Sequence, residues 1–111
     1  MNYKEITEII ATKVMGWKLV ERFDDKLSMA FWDIGAMSIE TRSYNPLLDD
    51  NDCMEAWDKF SEVQNTTLEA RGDDLGWEAI LFDGYGHEKT SAHSIDRRRA
   101  MCECMAKAVT E

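Results

Sequence analysis

Proline, glycine, cysteine and histidine are all scarce in this sequence. One proline and six glycines among 111 residues leave no material for a low-complexity linker, so we expect a single domain over residues 1–111. Cys53, Cys102 and Cys104 are an odd number without a CxxC pair, which argues against a disulfide framework or a common zinc motif. We interpret the three thiols as buried groups of a protein in reducing cytoplasm.

Long apolar stretches and the common enzyme motifs are missing as well. No run approaches the roughly 20 apolar residues of a membrane span, and residues 1–5 lack the features of a signal peptide. The chain contains no P-loop, GxGxxG, HExxH or nucleophile-elbow pattern. We therefore expect a soluble, intracellular protein that is not an enzyme and carries no cofactor.

Three short segments offer potential ligand groups, but each lacks an essential part of its motif. His87 and His93 have no third metal ligand or nucleophile at a diagnostic spacing. Residues 49–52 are rich in carboxylates yet lack the glycine and glutamate of an EF-hand, which favours a helix cap over a calcium site. Residues 83–86 are rich in glycine but are not followed by the Lys-Ser or Lys-Thr of a phosphate-binding loop, so we expect a turn there. Because none of the three segments is complete, we expect no metal site in this protein.

Apolar residues at helical spacing predict three helices. In the first, Ile6, Ile10 and Val14 share one face from Asn2 to Met15 before Gly16. The second follows Pro46, with Asp52 and Glu55 approximating a capping box. Its predicted inner face is Cys53, Trp57, Phe60 and Gln64, and its outer face is Glu55, Asp58, Lys59 and Glu62. The third starts after Ser94 or Asp96 as N-cap, with an apolar stripe of Met101, Cys104, Met105, Ala108 and Val109.

Alternation of apolar and polar residues predicts the strands. Residues 26–33 suit a strand after a turn at Asp24 and Asp25, and residues 34–43 are less regular, as in an edge strand. Residues 66–71 and 77–83 form an antiparallel pair across a turn at 72–76, and residues 89–93 add a third strand. The prediction is an α+β domain: a small antiparallel sheet of three to five strands packed with three helices, in the order α-β-α-β-β-β-α, as a two- or three-layer sandwich.

The tryptophans separate into two groups. Trp17, Trp57 and Trp77 lie beside or within apolar-periodic segments and are expected in the core. Trp32 lies in the least regular part of the sequence, and we consider it the better candidate for an exposed contact.

Charge is distributed unevenly along the chain. Residues 49–78 contain ten acidic and two basic side chains, which gives −8 of the total net charge of −9. Such a field repels nucleic acid and favours a partner with a basic surface, although solubility alone also accounts for it. The residues we select as a partner-binding surface are Asp49, Asp50, Asp52, Glu55, Asp58, Glu62, Asp73 and Asp74.

Positive charge is concentrated at the start of the third helix, in Arg97, Arg98 and Arg99. Guanidinium groups in the first turn of a helix are a candidate anion-binding site. The alternative is that they form ion pairs with acids of the second helix. Since nucleic-acid binding needs several basic groups on one surface, direct binding of nucleic acid is not expected.

Three blocks of the sequence occur in an order that resembles a known family. They are residues 13–17 (KVMGW), residues 44–57 (YNPLLDDNDCMEAW) and residues 99–109 (RAMCECMAKAV). Together they resemble the phage ABA sandwich domain, a family of small phage and prophage proteins. The resemblance implies a compact α/β sandwich without an established catalytic activity, and it implies no active-site residues for this chain.

These features lead to three hypotheses of function. The first is a non-enzymatic phage accessory protein in the host cytoplasm, which inhibits a nucleic-acid-targeting defence system by binding a basic host protein through residues 49–78. The second is a protein that sequesters a nucleotide signal, with Arg97–Arg99 and the Gly84–Gly86 loop on the phosphates. The third is a structural or assembly protein, and a homo-oligomer is compatible with it.

Overall fold

The computed structural model describes residues 1–24, 27–62, 65–70 and 76–110, and within them it contains three α-helices and two antiparallel sheets of three strands each. In chain order the elements are α1 (Tyr3–Ile9) with a π-helical continuation (Ile10–Val14), β1 (Lys18–Asp24), β2 (Leu27–Asp33), β3 (Ser38–Glu40) with a short 3₁₀ turn (Thr41–Ser43), α2 (Asp50–Ser61), β4 (Asn65–Ala70), β5 (Trp77–Phe82), β6 (Glu88–Ser94) and α3 (Arg97–Thr110). The α+β class with three helices is therefore confirmed.

The order of elements differs from the prediction between α1 and α2. That segment contains three strands rather than one strand and an irregular edge, and they form their own sheet, which we call the first sheet. The unpredicted strand, β1, contains several charged residues and has no clear alternation of its own. It is held by seven consecutive pairs with β2, from Lys18 opposite Asp33 to Asp24 opposite Leu27. The pairing with β2 across a hairpin therefore makes this segment a strand, although its own sequence has only a weak strand pattern.

One face of the first sheet is turned toward the core. The register places Leu19 opposite Trp32 and Glu21 opposite Ala30, and Trp32 also pairs with Ile39 of β3. Directly opposed residues share a face, so these side chains line the same side of the sheet. Trp32 is only 2% exposed. Its assignment as an exposed contact was wrong, because the strand directs it to the inner face.

The second sheet, β4-β5-β6, matches the predicted run of three antiparallel strands closely. Ala79, Leu81 and Ala92 are buried on the side that packs against α3. The pairing of β5 with β6 shifts at Leu81 and Phe82, next to the turn that joins the two strands. The predicted turns at Asp25 and at residues 72–75, and the ends of predicted elements at Lys26, Gln64 and Arg71, lie outside the described residues.

Helix α3 is buried on two sides. Cys104 approaches the β6 carbonyl of Thr90, with 3.9 Å between sulfur and oxygen, whereas Cys102 lies beside Cys53 of α2. The two cysteines are two positions apart and point in nearly opposite directions on a helix, so one side of α3 faces the second sheet and the other faces α2. The predicted apolar stripe was too narrow: Ala100, Cys102 and Ala106 are also buried, and Ala108 and Val109 are only partly buried.

Helices α1 and α2 both contribute residues to the core. The Asn2 side chain caps α1, which buries Ile6, and its π-helical continuation buries Ile10 and Ala11. The chain turns away at Gly16, which has a φ of 75°. Helix α2 buries Cys53, Trp57 and Phe60 as predicted, together with Ala56. Trp17 and Trp77 are half-buried and pack against the same core.

Candidate functional site

The acidic residues selected from the sequence divide into three sets. Asp49, Asp50 and Asp52 lie at the start of α2. Glu55 and Asp58 lie along the rest of the helix, and Glu62 is its C-cap. Asp73 and Asp74 lie outside the described residues. The first two sets have different surroundings, and the difference indicates which carboxylates are available to a partner.

The carboxylates at the start of α2 are engaged in the fold. The Asp49 side chain accepts a hydrogen bond from the Asp52 backbone N–H at 3.0 Å, so Asp49 is the N-cap and the helix begins three residues earlier than the predicted Asp52 cap. Asp52 accepts a hydrogen bond from the Asn45 backbone N–H at 2.9 Å. These contacts hold the loop before α2, and negative charge here also suits the positive end of the helix dipole. They explain the oxygen-rich segment without a calcium ion.

The arginines at the start of α3 have protein partners. Arg97 Nη2 lies 3.1 Å from Asp50 Oδ1, and Arg98 Nη1 donates to the Leu48 carbonyl at 2.7 Å. Arg99 donates to Glu103 at 2.7 Å, and this hydrogen bond raises the pKa of its guanidinium. Asp96 is the N-cap of α3, since its carboxylate accepts the Arg98 backbone N–H at 3.0 Å. Arg97 and Arg98 therefore join α3 to the start of α2 and the preceding loop, whereas Arg99 pairs within α3 and lies over the Tyr3 ring of α1.

The Gly84–Gly86 loop does not meet these arginines. It joins β5 to β6, whereas Arg97 follows the other end of β6, and the seven residues of Glu88–Ser94 separate the two by about 20 Å. Inside the loop, Asp83 Oδ1 accepts the backbone N–H groups of Tyr85 and His87 at 2.8 and 3.0 Å. The loop is thus the turn that the sequence predicted. A phosphate group held by both the arginines and this loop is excluded by the distance.

The carboxylates along α2 border a groove, which we call the acidic groove. Its volume is about 440 Å³, and it is lined by Met15, Trp17, Ile34, Glu55, Asp58, Lys59 and Glu62. The apolar residues come from the segment after α1 and from the end of β2, and the charged residues are all on the exposed side of α2. Three carboxylates against one ammonium give the groove a net negative charge beside an apolar floor.

The buried thiols are poorly suited to nucleophilic chemistry. The hydrogen bond that Cys102 shares with Cys53, together with burial, raises the pKa of Cys102. Burial raises the pKa of Cys104 to about 11. The hydrogen bond from Cys102 lowers the pKa of Cys53, which nevertheless is only 1% exposed. A protonated or inaccessible sulfur is a weak nucleophile, so we interpret the three cysteines as packing residues.

The part of the chain that the structure describes has neither a candidate metal cluster nor a helix able to span a membrane. Residues 1–24, 27–62, 65–70 and 76–110 contain no cluster of three or more histidine, cysteine, aspartate or glutamate side chains that could hold a metal ion. His87 Nδ1 lies 3.7 Å from Asp83, inside the β5–β6 turn. No helix in the same ranges has the length and apolar character needed to cross a bilayer.

Comparison with known proteins gives no match to a family model, to a curated protein or to a solved structure. The resemblance to the phage ABA sandwich domain therefore stays a prediction.

Sequence reasoning found the acidic side of the groove and missed its apolar side. Met15 and Trp17 lie in the connection that leads into β1, and Ile34 lies in the connection between β2 and β3. The sequence contained one signal for the apolar side: Trp17 follows Gly16, which ends the helix, so the position of the Trp17 side chain is no longer set by the helical period. Nothing in the sequence indicated that Ile34 lies next to α2.

Proposed function

We propose that this protein is a non-enzymatic accessory protein that binds a basic protein surface through the acidic groove. The observation that carries the proposal is the combination in one groove of Glu55, Asp58 and Glu62 with an apolar floor. A lysine or arginine side chain has matching chemistry, since its aliphatic stem packs on apolar groups while its charge meets carboxylates. The negative field of the whole chain, at −9, would accelerate association with such a partner.

We further propose a phage or prophage origin and action in the host cytoplasm, with the target being a host protein that normally holds DNA or RNA. The support is the resemblance of residues 13–17, 44–57 and 99–109 to the phage ABA sandwich domain. The layered sandwich that the resemblance implies is compatible with a helix, α3, that packs on the second sheet and on α2. Inhibition of an anti-phage nuclease would follow from occupation of its basic nucleic-acid channel.

The test is a competition between the protein and DNA on purified host nuclease complexes of the nucleic-acid-targeting defence systems. We expect the protein to displace DNA, with an inhibition constant that weakens at least tenfold between 50 and 300 mM salt because the contact is electrostatic. Failure to displace DNA from every complex tested would contradict the proposal.

Two matched triple variants locate the surface. Glu55→Gln, Asp58→Asn and Glu62→Gln together remove three charges from the groove, and Glu5→Gln, Glu8→Gln and Glu88→Gln remove three charges from exposed positions elsewhere. We expect the first variant to lose about 100-fold or more in affinity and the second to lose less than about fivefold, since rim charges act mainly at close range. Equal losses would show that net charge, rather than this groove, drives binding.

The second and third hypotheses gain no support of the same kind. Nucleotide sequestration by Arg97–Arg99 with the Gly84–Gly86 loop requires groups that lie at opposite ends of β6. An assembly role, with a homo-oligomer, stays a prediction that size-exclusion chromatography with light scattering would test.

A further inference from the structure

A second cavity lies between α1 and the inner face of β1 and β2, and the segment after β3 also contributes to its wall. We call it the first-sheet cavity. Its volume is about 420 Å³, within the range of about 300–1,000 Å³ that small-molecule sites occupy. The α1 wall includes Tyr3 and Thr7, and the sheet wall includes Ala30 and Trp32. None of the residues in the acidic groove lines it.

Two aromatic residues of this cavity carry polar atoms without partners. Among the described residues, the Trp32 indole Nε1 and the Tyr44 hydroxyl are the buried side-chain nitrogen and oxygen atoms that make no hydrogen bond. Both side chains are 2% exposed, and both line the first-sheet cavity. A buried donor without an acceptor is unfavourable, and in native proteins such groups are rare. Trp32 and Tyr44 therefore bring two unpartnered polar groups into the wall of this cavity, although neither atom is open to solvent in this structure.

The charges around the cavity cancel. Lys4 and Arg42 contribute two positive charges, and Glu8 and Glu21 contribute two negative charges. Arg42 is also paired with Glu40. With a net charge of −9 on the chain, nothing here favours a polyanion. The aromatic and small apolar walls favour a planar ring, and the buried N–H favours a ring with acceptor atoms in its plane.

We propose that the first-sheet cavity binds an uncharged planar heterocycle of nucleoside size, whose acceptor atom takes the hydrogen bond of Trp32 Nε1. In this structure Nε1 is closed to solvent, so binding includes a change of the Trp32 torsion that turns the N–H toward the cavity. The small side chain of Ala30, on the same face as Trp32 and two residues before it, leaves the space in which the ring would lie. The proposal does not depend on the acidic groove.

The test uses nitrogen-15 NMR of the four tryptophan indole groups. Adenosine, guanosine, cytidine, uridine and thymidine are titrated separately into the full-length protein. We expect at least one nucleoside to produce a saturable downfield shift of the Trp32 indole peak, which the spectrum of Trp32→Phe identifies. The peak of Trp77, which does not line the cavity, should stay in place. Absence of a saturable shift with all five nucleosides would overturn the proposal.

Three further comparisons sharpen the result. Ala30→Leu fills the cavity while keeping Trp32, and it should abolish the shift although the other indole peaks keep their positions. Trp32→Phe should weaken binding about tenfold in calorimetry, as expected for the loss of one buried hydrogen bond. The 5′-monophosphate of the bound nucleoside should bind more weakly than the nucleoside. Retained binding in Ala30→Leu, or tighter binding of the monophosphate, would contradict the site or the ligand class.

Discussion

The two sheets of this molecule have the same strand number and the same simple order, yet they use their inner faces differently. The second sheet packs against α3, with Ala79, Leu81 and Ala92 all at most 4% exposed. The first sheet buries Trp32 but leaves Leu19, on the same face, 50% exposed beside a cavity. The second sheet therefore commits its inner face to the core, whereas the first sheet leaves part of its inner face uncovered.

The largest effect should come from the same substitution made in each sheet. Leu81→Ala removes a side chain that is 2% exposed and should lower the free energy of unfolding by about 3 kcal/mol, because it leaves a cavity in the core. Leu19→Ala should cost less than about 1 kcal/mol, because half of its side chain already contacts solvent. Urea denaturation followed by circular dichroism measures both. Equal costs would remove the distinction between the sheets.

A second pair tests how closely the backbone before β5 approaches the end of β6. A Cβ atom at Gly76 would lie 2.4 Å from the Ser94 carbonyl oxygen, whereas a Cβ at Gly86 would meet nothing within 4 Å. Both glycines have positive φ, 78° and 83°, so the backbone cost of alanine is similar. Gly76→Ala should therefore destabilise the protein by about 2 kcal/mol more than Gly86→Ala. Thermal unfolding of the two variants gives the difference, and similar melting temperatures would argue against the close contact.

A substitution at the first-sheet cavity should change stability in the opposite direction. Tyr44→Phe removes a buried hydroxyl that has no hydrogen-bond partner and should stabilise the protein by about 1 kcal/mol. Burial raises the pKa of Tyr44, and Asp52 raises it further. The folded state therefore holds this proton while the unfolded chain releases it above about pH 10.

The difference in Tyr44 protonation between the folded and unfolded states sets the direction in which stability changes with pH. The contribution of Tyr44 is constant below the unfolded pKa and is lost as the pH rises above it, so the stabilisation by Tyr44→Phe should grow between pH 9 and pH 11. Urea unfolding at several pH values checks this. A destabilised Tyr44→Phe, at any of these values, would show that the hydroxyl has a partner.

The smallest effect concerns the ion pairs between the helices. Asp50→Asn breaks the contacts with Arg97 and Arg98, but the Asp50 side chain is 64% exposed, so the loss should be about 0.5 kcal/mol and should disappear at 1 M salt. Asp58→Asn removes the same charge from the acidic groove and serves as the control. A loss above about 2 kcal/mol for Asp50→Asn would contradict the prediction, because it would show that these exposed ion pairs are important for stability.

Local patterns predicted most elements of the fold, and the failures have specific causes. The periodicity of α2 correctly identified Cys53, Trp57 and Phe60 as buried. The predicted N-cap of α3 was Ser94 or Asp96, and the structure selects Asp96. The strand β1 was missed because its charged residues hide the alternation, and its pairing with β2 is a contact between different segments. Trp32 was misjudged for the same reason: a strand has two faces, and its neighbours decide which one is inner.

The candidate sites show the same division. The acidic side of the groove was visible in the sequence, because Glu55, Asp58 and Glu62 follow the helical period. Its apolar side was not, because Met15, Trp17 and Ile34 belong to two connections that only the tertiary structure brings to α2. The first-sheet cavity was not predicted at all, since its walls come from α1, from β1 and β2, and from the segment after β3, and β1 itself was not predicted.

The sequence by itself determined the class of the domain, its three helices, the strands of the second sheet and the concentration of negative charge in residues 49–78. These features depend on side-chain periodicity and composition within short windows, so residues close together in the sequence are enough to specify them. Only the tertiary structure decided that the strands form two sheets, that α3 is buried on two sides, and that Trp32 and Tyr44 are buried without hydrogen-bond partners. Those outcomes depend on which distant segments exclude water from one another, and no local pattern encodes that choice.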